Sequence, residues 1–462
     1  MSILAGIMVP HPPLIIPSVG HGQEKQIQPT IDAYGRAIDF LIAKDCQLLV
    51  VTTPHSVMYA DYFHISPGTQ ATGSFASFSA PDTVVRVRYD KEFSDELSRQ
   101  CAAAGLPAGH QGQRDAALDH ATMIPLWFWQ RHDGPDIPIV RIGLSGLPLA
   151  RHYELGMVIA RTAAALDRRV GFIASGDLSH KCRPEGPYGF SAYGPEYDRR
   201  IMADMGQAAF GNLLCYDDAF CEQAAECGHR SFTIMAGAFD GMAVKATALS
   251  HQDTFGVGYG VCTFEPQGPD PARHFLDGYR QAQAAAASRR RAQQDELVRL
   301  ARKTVETWVG SHRKIGLPSD LQGELRQRRA GAFVTLYKDG QLRGCIGTIS
   351  PVTPCLGQEI IDNAISACSR DPRFDEVQAD ELADIVYSVD VLGPLQDIKG
   401  PQQLDVARYG VVVANGTRRG LLLPDLDGVD TVEQQIAIAR RKAGIEPDEP
   451  VTLQRFEVVR HH

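Results

Sequence analysis

The chain lacks any run of the roughly 18 to 20 uncharged apolar residues that a membrane helix needs, so a spanning segment is not expected. It lacks a CxxC pair. Its 10 cysteines are scattered from Cys46 to Cys368 with no dense framework, which disfavours a disulfide scaffold or a structural zinc ribbon and suits a reducing, cytoplasmic setting. It lacks an excess of positive charge: 46 Lys and Arg stand against 55 Asp and Glu, a net charge of −9. That balance gives no electrostatic reason to bind nucleic acid or an anionic membrane. No internal repeat with a period of about 20 to 50 residues is evident. The opening MSILAGIMVPHPPLIIPSVG is apolar, but it has no Lys or Arg ahead of the apolar run and is broken by Pro10, His11, Pro12 and Pro13. It reads as a buried first strand rather than a signal peptide.

What is present is length and rhythm. At 462 residues the chain is too long for one ordinary domain, and two or three are expected. Over residues 1–268 short apolar runs alternate with longer amphipathic stretches. Ile3–Val9, 47–52, 84–89, 139–144, 170–174 and 258–264 read as strands, and the regions near 24–44, 92–104, 153–167 and 196–211 as helices. That alternation predicts a mainly α/β sheet domain with helices on both faces. Residues 269–292 read as a linker, and the Ala-rich, basic YRQAQAAAASRRRAQQ of 279–294 marks a linker or an exposed helix leading into the next unit. Residues 293–462 then read as a smaller α+β domain, with an amphipathic helix from Asp295, a hairpin turning at Asp339-Gly340 and a strand over 385–392.

Three of the apolar runs end in a histidine. GIMVPHPP carries His11, LLVVTTPHS carries His55, and VGFIASGDLSH carries Asp177 and His180. The carboxyl ends of strands line the crevice of an open α/β sheet, so these side chains can meet in space. Neutral imidazoles are common metal ligands, and two of them with one carboxylate leave positions open on an ion. Each histidine alone is as readily a polar loop residue; two matching Pro-His strand exits and a third DLSH exit favour the metal site. The segment AAECGHRSF offers Glu226 and Cys227 as adjacent third ligands ahead of a helix, a carboxylate site or a softer one. His229 and Arg230 read equally well as surface residues.

His180 is a candidate acid or base beside the metal, and Asp177 either orients it or caps the next turn. His120, after Asp119 in LDHATMIPLWFW, reads as a pocket wall or as the polar start of a core helix. The Gly/Pro/Tyr-rich loop 181–197 is a candidate lid, with Tyr188 and Tyr193 as substrate-pocket candidates.

The ordered set VPHPP, TPHS, LDHATMIPL, GDLSH and ECGHRS resembles the class III extradiol dioxygenase (LigB-like) superfamily, which includes the Memo-like proteins, over about residues 1–265. The resemblance implies Fe(II), or another divalent metal such as Zn or Cu, at His11, His55 and a residue of the ECG segment. It implies that His180 matches the acid/base histidine, that His120 lines the substrate pocket, and that the substrate is a small catechol-like aromatic. Ring-cleaving members carry Glu as third ligand and Memo-like proteins carry Cys before Gly; Glu226-Cys227-Gly228 satisfies either register. Residues of about 293–458 resemble the AMMECR family through LRGCIGT, NAISACSRDPRF, RGLLLP and RKAGI. There Cys345 is a candidate reactive thiol, or a small buried hydrophobe. The fusion resembles the AmmeMemoRadiSam system family, whose modules are associated with a radical SAM protein. A homo-oligomer is the expected assembly.

Overall fold

A computed structural model describes residues 2–112, 117–319, 323–338, 341–426 and 428–462. The chain divides into two compact units, residues 1–282 and 283–462. The division falls inside the helix Phe275–Gln293. Phe275, Leu276 and Tyr279 of this helix pack on the core of the first unit, so of the two readings of this stretch, linker or exposed helix, it is helical, and its beginning contributes to a core.

The first unit is built on a six-stranded sheet. In spatial order its strands are Ile139–Gly143, Leu48–Thr53, Val170–Ser175, Ile3–Val9, Tyr259–Pro269 and Met242–Gln252. The first four are mutually parallel; Tyr259–Pro269 pairs antiparallel with Ile3–Val9, and Met242–Gln252 pairs antiparallel with Tyr259–Pro269. Alternation along the buried strands sends side chains to opposite faces. Leu48, Val50 and Phe172 enter one core with the helices Leu149–Ala165 and His229–Ala238. Leu49, Val51 and Ile173 enter the other with Gln28–Ile42 and His120–Arg131. A sheet buried on both faces explains why these strands read as continuous apolar runs.

The second unit is mixed α/β around a curled seven-stranded sheet. Its path runs Gln341–Gly347, Ala332–Lys338, Val386–Leu392, Thr452–His461, Tyr409–Asn415 and Arg418–Leu422, with Gln396–Ile398 also paired to Thr452–His461. The expected amphipathic helix is Glu296–Ser311, started by Asp295, whose carboxylate accepts from the N–H groups of Leu297 and Val298. The hairpin strands pair with Lys338 opposite Gln341; the turn itself, at Asp339-Gly340, lies outside the described residues. Among the described residues no helix is long and apolar enough to cross a membrane.

His152, at the sheet-facing start of Leu149–Ala165, is fully buried. Its Nδ1–H donates to the Pro148 carbonyl and its Nε2 accepts from the Ser145 N–H. Both nitrogens are therefore used by the neutral ring, and burial pushes its pKa down to about 3. An unfolded histidine titrates near 6.5, so the unfolded chain binds the extra proton first, and this residue removes stability as pH falls below about 6.5. At pH 4.5 the loss is roughly 2–3 kcal/mol. Denaturant titrations at pH 7.5 and 4.5 are expected to show a smaller acid loss in His152→Gln than in the wild type. An equal loss in the two proteins would mean that His152 does not drive acid sensitivity.

Candidate metal centre

The strands Leu48–Thr53, Val170–Ser175 and Ile3–Val9 are consecutive neighbours in parallel register, with Val9 level with Ser175 and Thr52 level with Ala174. Their carboxyl ends open side by side, and His11, His55 and the Asp177–His180 turn leave from them. The turns are pressed together by glycine. A Cβ on Gly176 would come within 2.2 Å of the Gly228 Cα, and one on Gly228 within 2.9 Å of the Asp177 carbonyl oxygen. No side chain fits between GDLSH and ECGH, and the absence of one brings Cys227 to the histidines.

His11 is buried, and its hydrogen bonds assign its tautomer. Ser175 Oγ donates its single proton to the Ala121 carbonyl at 2.7 Å. It can therefore only accept from the His11 Nδ1–H, 3.1 Å away. The lone pair of His11 is thus on Nε2, which faces His55 Nε2 at 3.1 Å and Cys227 Sγ at 3.5 Å. His120 joins them: one ring nitrogen each from His11, His55 and His120 lie within 4.8 Å of one another.

His120 is the first residue of the helix His120–Arg131. Asp119 caps this helix, accepting from the Thr122 N–H and hydroxyl and from the Thr53 hydroxyl. Thr53 in turn accepts from the His55 N–H, so one carboxylate aligns two of the histidines. It is held by Arg141, fully buried, whose guanidinium lies 3.5 Å from Asp119 and donates to Ser66 and the Ala117 carbonyl.

Burial governs the protonation of the cluster. It holds His11 well below the ordinary histidine value, lowers His55, and pushes His120 down to about 4, with neighbouring imidazoles adding to the effect. The ligand lone pairs are therefore free near neutral pH. Asp177 Oδ2 lies 3.8 Å from His11 Nε2, yet burial pushes its carboxyl up to about 7. Both partners shift toward their neutral forms, so this contact is not an ion pair. Asp177 also accepts from the His11 N–H at 2.7 Å, fixing the chain at the strand exit.

The adjacent candidates in the ECG segment separate. Cys227 Sγ reaches His11, and burial pushes its thiol well up. The Glu226 carboxylate instead accepts at 2.6 Å from the N–H of His229, the first residue of the following helix; burial pushes it up to about 7. His229, which reads as a surface residue in the sequence, is buried, with its ring between the Tyr197 hydroxyl and the Leu213 carbonyl.

His180 Nδ1–H donates to the Ala225 carbonyl at 2.5 Å, which leaves its Nε2 unprotonated, and burial lowers its pKa. Tyr188 packs edge-on against it at 5.2 Å. Tyr193 goes elsewhere: it packs on Phe220 and lines a surface cleft with Arg199, Arg200 and Tyr216, whose lining includes none of the histidines. Phe78 stands edge-on to His120 at 5.4 Å. Ser175, Thr53, Arg141 and Phe78 were not legible as site residues from periodicity. Ser175 and Arg141 nevertheless carry a signal, a polar residue in an otherwise apolar buried strand.

The donors fit a divalent transition ion: neutral imidazole nitrogens and a thiol sulfur, with a tautomer-fixing hydroxyl behind one of them.

Residues 5–262 match the family described as the catalytic LigB subunit of aromatic ring-opening dioxygenase, and residues 298–461 match the AMMECR1 family. The chain is 35% identical to protein CA_C1420 of Clostridium acetobutylicum, covering 100% of this chain and 99% of that one. A Thermotoga maritima protein is 52% identical over 36% of this chain and 95% of its own length. Among solved structures, the uncharacterized protein PH0010 from Pyrococcus horikoshii is 34% identical, covering 36% of this chain and 88% of its own, with a TM-score of 0.34.

If Ser175 sets the His11 tautomer, Ser175→Ala should weaken metal retention about 10- to 100-fold while leaving the thermal transition nearly unchanged. Competition with a chelator measures the first and calorimetry the second. Unaltered metal affinity would remove Ser175 from the site's support.

Proposed function

Because this chain belongs to the family of the LigB catalytic subunit of aromatic ring-opening dioxygenases, with an AMMECR1 module behind it, we propose that its first unit is a non-haem Fe(II) site acting on a small catechol-like molecule. The observation that carries this reading is the Nε2 lone pair of His11, directed by Ser175 toward His55 Nε2 and Cys227 Sγ. His11 and His55 would hold the ion, with Cys227 or His120 as the third donor. A bound Fe(II) supplies chelation for two vicinal oxygens and a coordination position for dioxygen.

The chain's own groups have distinct tasks. The unprotonated Nε2 of His180 accepts the proton of a substrate hydroxyl, while its Nδ1–H stays on Ala225 and keeps the ring aimed. Phe78 and Tyr188 offer apolar and aromatic surface to a flat ring. The buried surroundings that keep the imidazoles neutral also exclude water from the proton transfer.

One observation favours a second reading. A thiol, not a carboxylate, stands beside His11, and Glu226 is engaged as a helix cap; this softer donor set suits a metal-binding or redox module that does not cleave rings, including one that serves a radical SAM protein. A cytoplasmic homo-oligomer is the setting we propose for either.

Anaerobic purification with metal analysis, followed by oxygen uptake over a catechol panel, tests the pair. Oxygen uptake with a yellow product is expected from the iron form. His11→Ala and His55→Ala should lose the metal with the fold intact, and equal metal content in both variants and the wild type would sink the site. Cys227→Ser should weaken iron binding at least about 10-fold, whereas Glu226→Ala should keep the metal and lose about 0.5–2 kcal/mol of stability. The reverse pattern would make Glu226 the ligand. Bound iron without uptake supports the second reading.

A further inference from the structure

One buried carboxylate of the first unit belongs neither to the nitrogen cluster nor to the polar scaffold that aligns it. Asp198 lies on the helix Tyr193–Gly206, on the same buried stripe as Tyr197, Ile201 and Met205. A carboxylate on an apolar stripe is costly unless its oxygens are bonded, and a well-packed apolar side chain there would serve stability as well.

Two of its partners bracket His180. Asp198 Oδ1 accepts from the Ser179 N–H at 2.9 Å, and the Cys182 thiol donates to Oδ2 at 3.4 Å. Glycines let the helix press on the turn that these residues form. A Cβ on Gly258 would lie 1.9 Å from Asp198 Oδ2, and one on Gly194 2.5 Å from the Lys181 carbonyl oxygen. Ser179 then joins the turn to the segment that aims the His180 ring. Its hydroxyl donates to the Ala224 carbonyl at 2.7 Å, next to the Ala225 carbonyl that takes the His180 Nδ1–H. A shift of Ser179 therefore moves His180 relative to the carbonyl that fixes its tautomer.

The third partner comes from a distant strand and reaches solvent. His251, exposed on the edge strand Met242–Gln252, brings its Nε2 to 2.8 Å from Asp198 Oδ2. A carboxylate oxygen only accepts, so the imidazole donates. Among the described residues no lysine or arginine is ion-paired with Asp198. His251 is thus the one partner able to bring a positive charge to this buried group.

Resting on the reading of His180 as the proton acceptor, we propose that Asp198 and His251 are its positioning residues. The carboxylate holds the turn on which His180 stands, and His251 holds the carboxylate. Neither touches the reacting atoms. Their work is to keep Ser179 in place, so that the His180 Nδ1–H stays on Ala225 and the bare Nε2 stays available to a substrate hydroxyl.

Histidine-selective nitrogen NMR of the full-length, metal-free protein reads the tautomer directly. His180→Gln assigns the His180 signals, and His152, held separately by Pro148 and Ser145, is an internal reference. The wild type is expected to show one His180 tautomer, protonated at Nδ1. Asp198→Ala and His251→Leu should each give a mixture of tautomers while the His152 signals stay unchanged. Asp198→Asn and His251→Gln, which keep an acceptor for Ser179 and a donor for Asp198, should restore the single form. In the iron form with catechol, the two disruptive substitutions should lower the kcat of oxygen uptake about 10- to 100-fold at unchanged KM and iron content. A single His180 tautomer in His251→Leu, His152 signals that change in step with those of His180, or no rescue by the conservative variants would each overturn the proposal. Absence of oxygen uptake in the wild type would count against the catechol reading alone, and the ring nitrogens, read without metal or substrate, still decide the positioning role.

Discussion

The contact between Gly176 and Gly228 is the constraint on which the candidate metal centre depends. Parallel register already brings His11, His55 and the GDLSH turn to one end of the sheet, but the ECGH turn comes from a distant part of the chain. Only a backbone-to-backbone approach, with a Cβ at Gly176 excluded at 2.2 Å, lets Cys227 stand at 3.5 Å from His11. A single added methyl at either glycine pushes the sulfur away from the nitrogen cluster while leaving the sheet beneath intact.

Around that contact, buried polar groups form one continuous scaffold. Arg141 holds Asp119, Asp119 holds Thr53 and caps the helix that begins at His120, and Thr53 holds the His55 backbone. Ser175 holds the His11 ring and Asp177 its main chain. Unsatisfied buried donors are costly, so these hydrogen bonds fix the geometry as firmly as packing does. The imidazoles are neutral because they are dry, and their nitrogens are oriented because neighbouring oxygens decide which one carries hydrogen.

Much of this was legible in the sequence because it is local. A histidine after an apolar run marks a strand exit, and the period of the runs predicted both the sheet and its faces. The choice between Glu226 and Cys227 was not legible: adjacent residues differ in direction by a rotation that only the helix start at His229 decides. His120 was readable as a pocket wall or a helix start, and it is at once a helix start and a member of the nitrogen cluster. Tyr193 follows the helix it begins, Tyr193–Gly206, toward Phe220, a direction no loop composition encodes. The strand Met242–Gln252 escaped pattern reading because it is a sheet edge with mixed exposure and no clean alternation. In the second unit, Asp371 and Arg373 reach back across the helix Leu356–Ser369 to the backbone of Cys345, a pairing that no local period encodes.

Two of the helices described above, His120–Arg131 and His229–Ala238, begin at the cluster itself. Their aligned peptide dipoles turn their positive ends toward the same small volume, each worth about 0.3–1 kcal/mol to a nearby negative charge. Each of these ends already holds an acidic side chain, Asp119 at the first and Glu226 at the second, so the dipoles anchor the two groups that flank the neutral imidazoles.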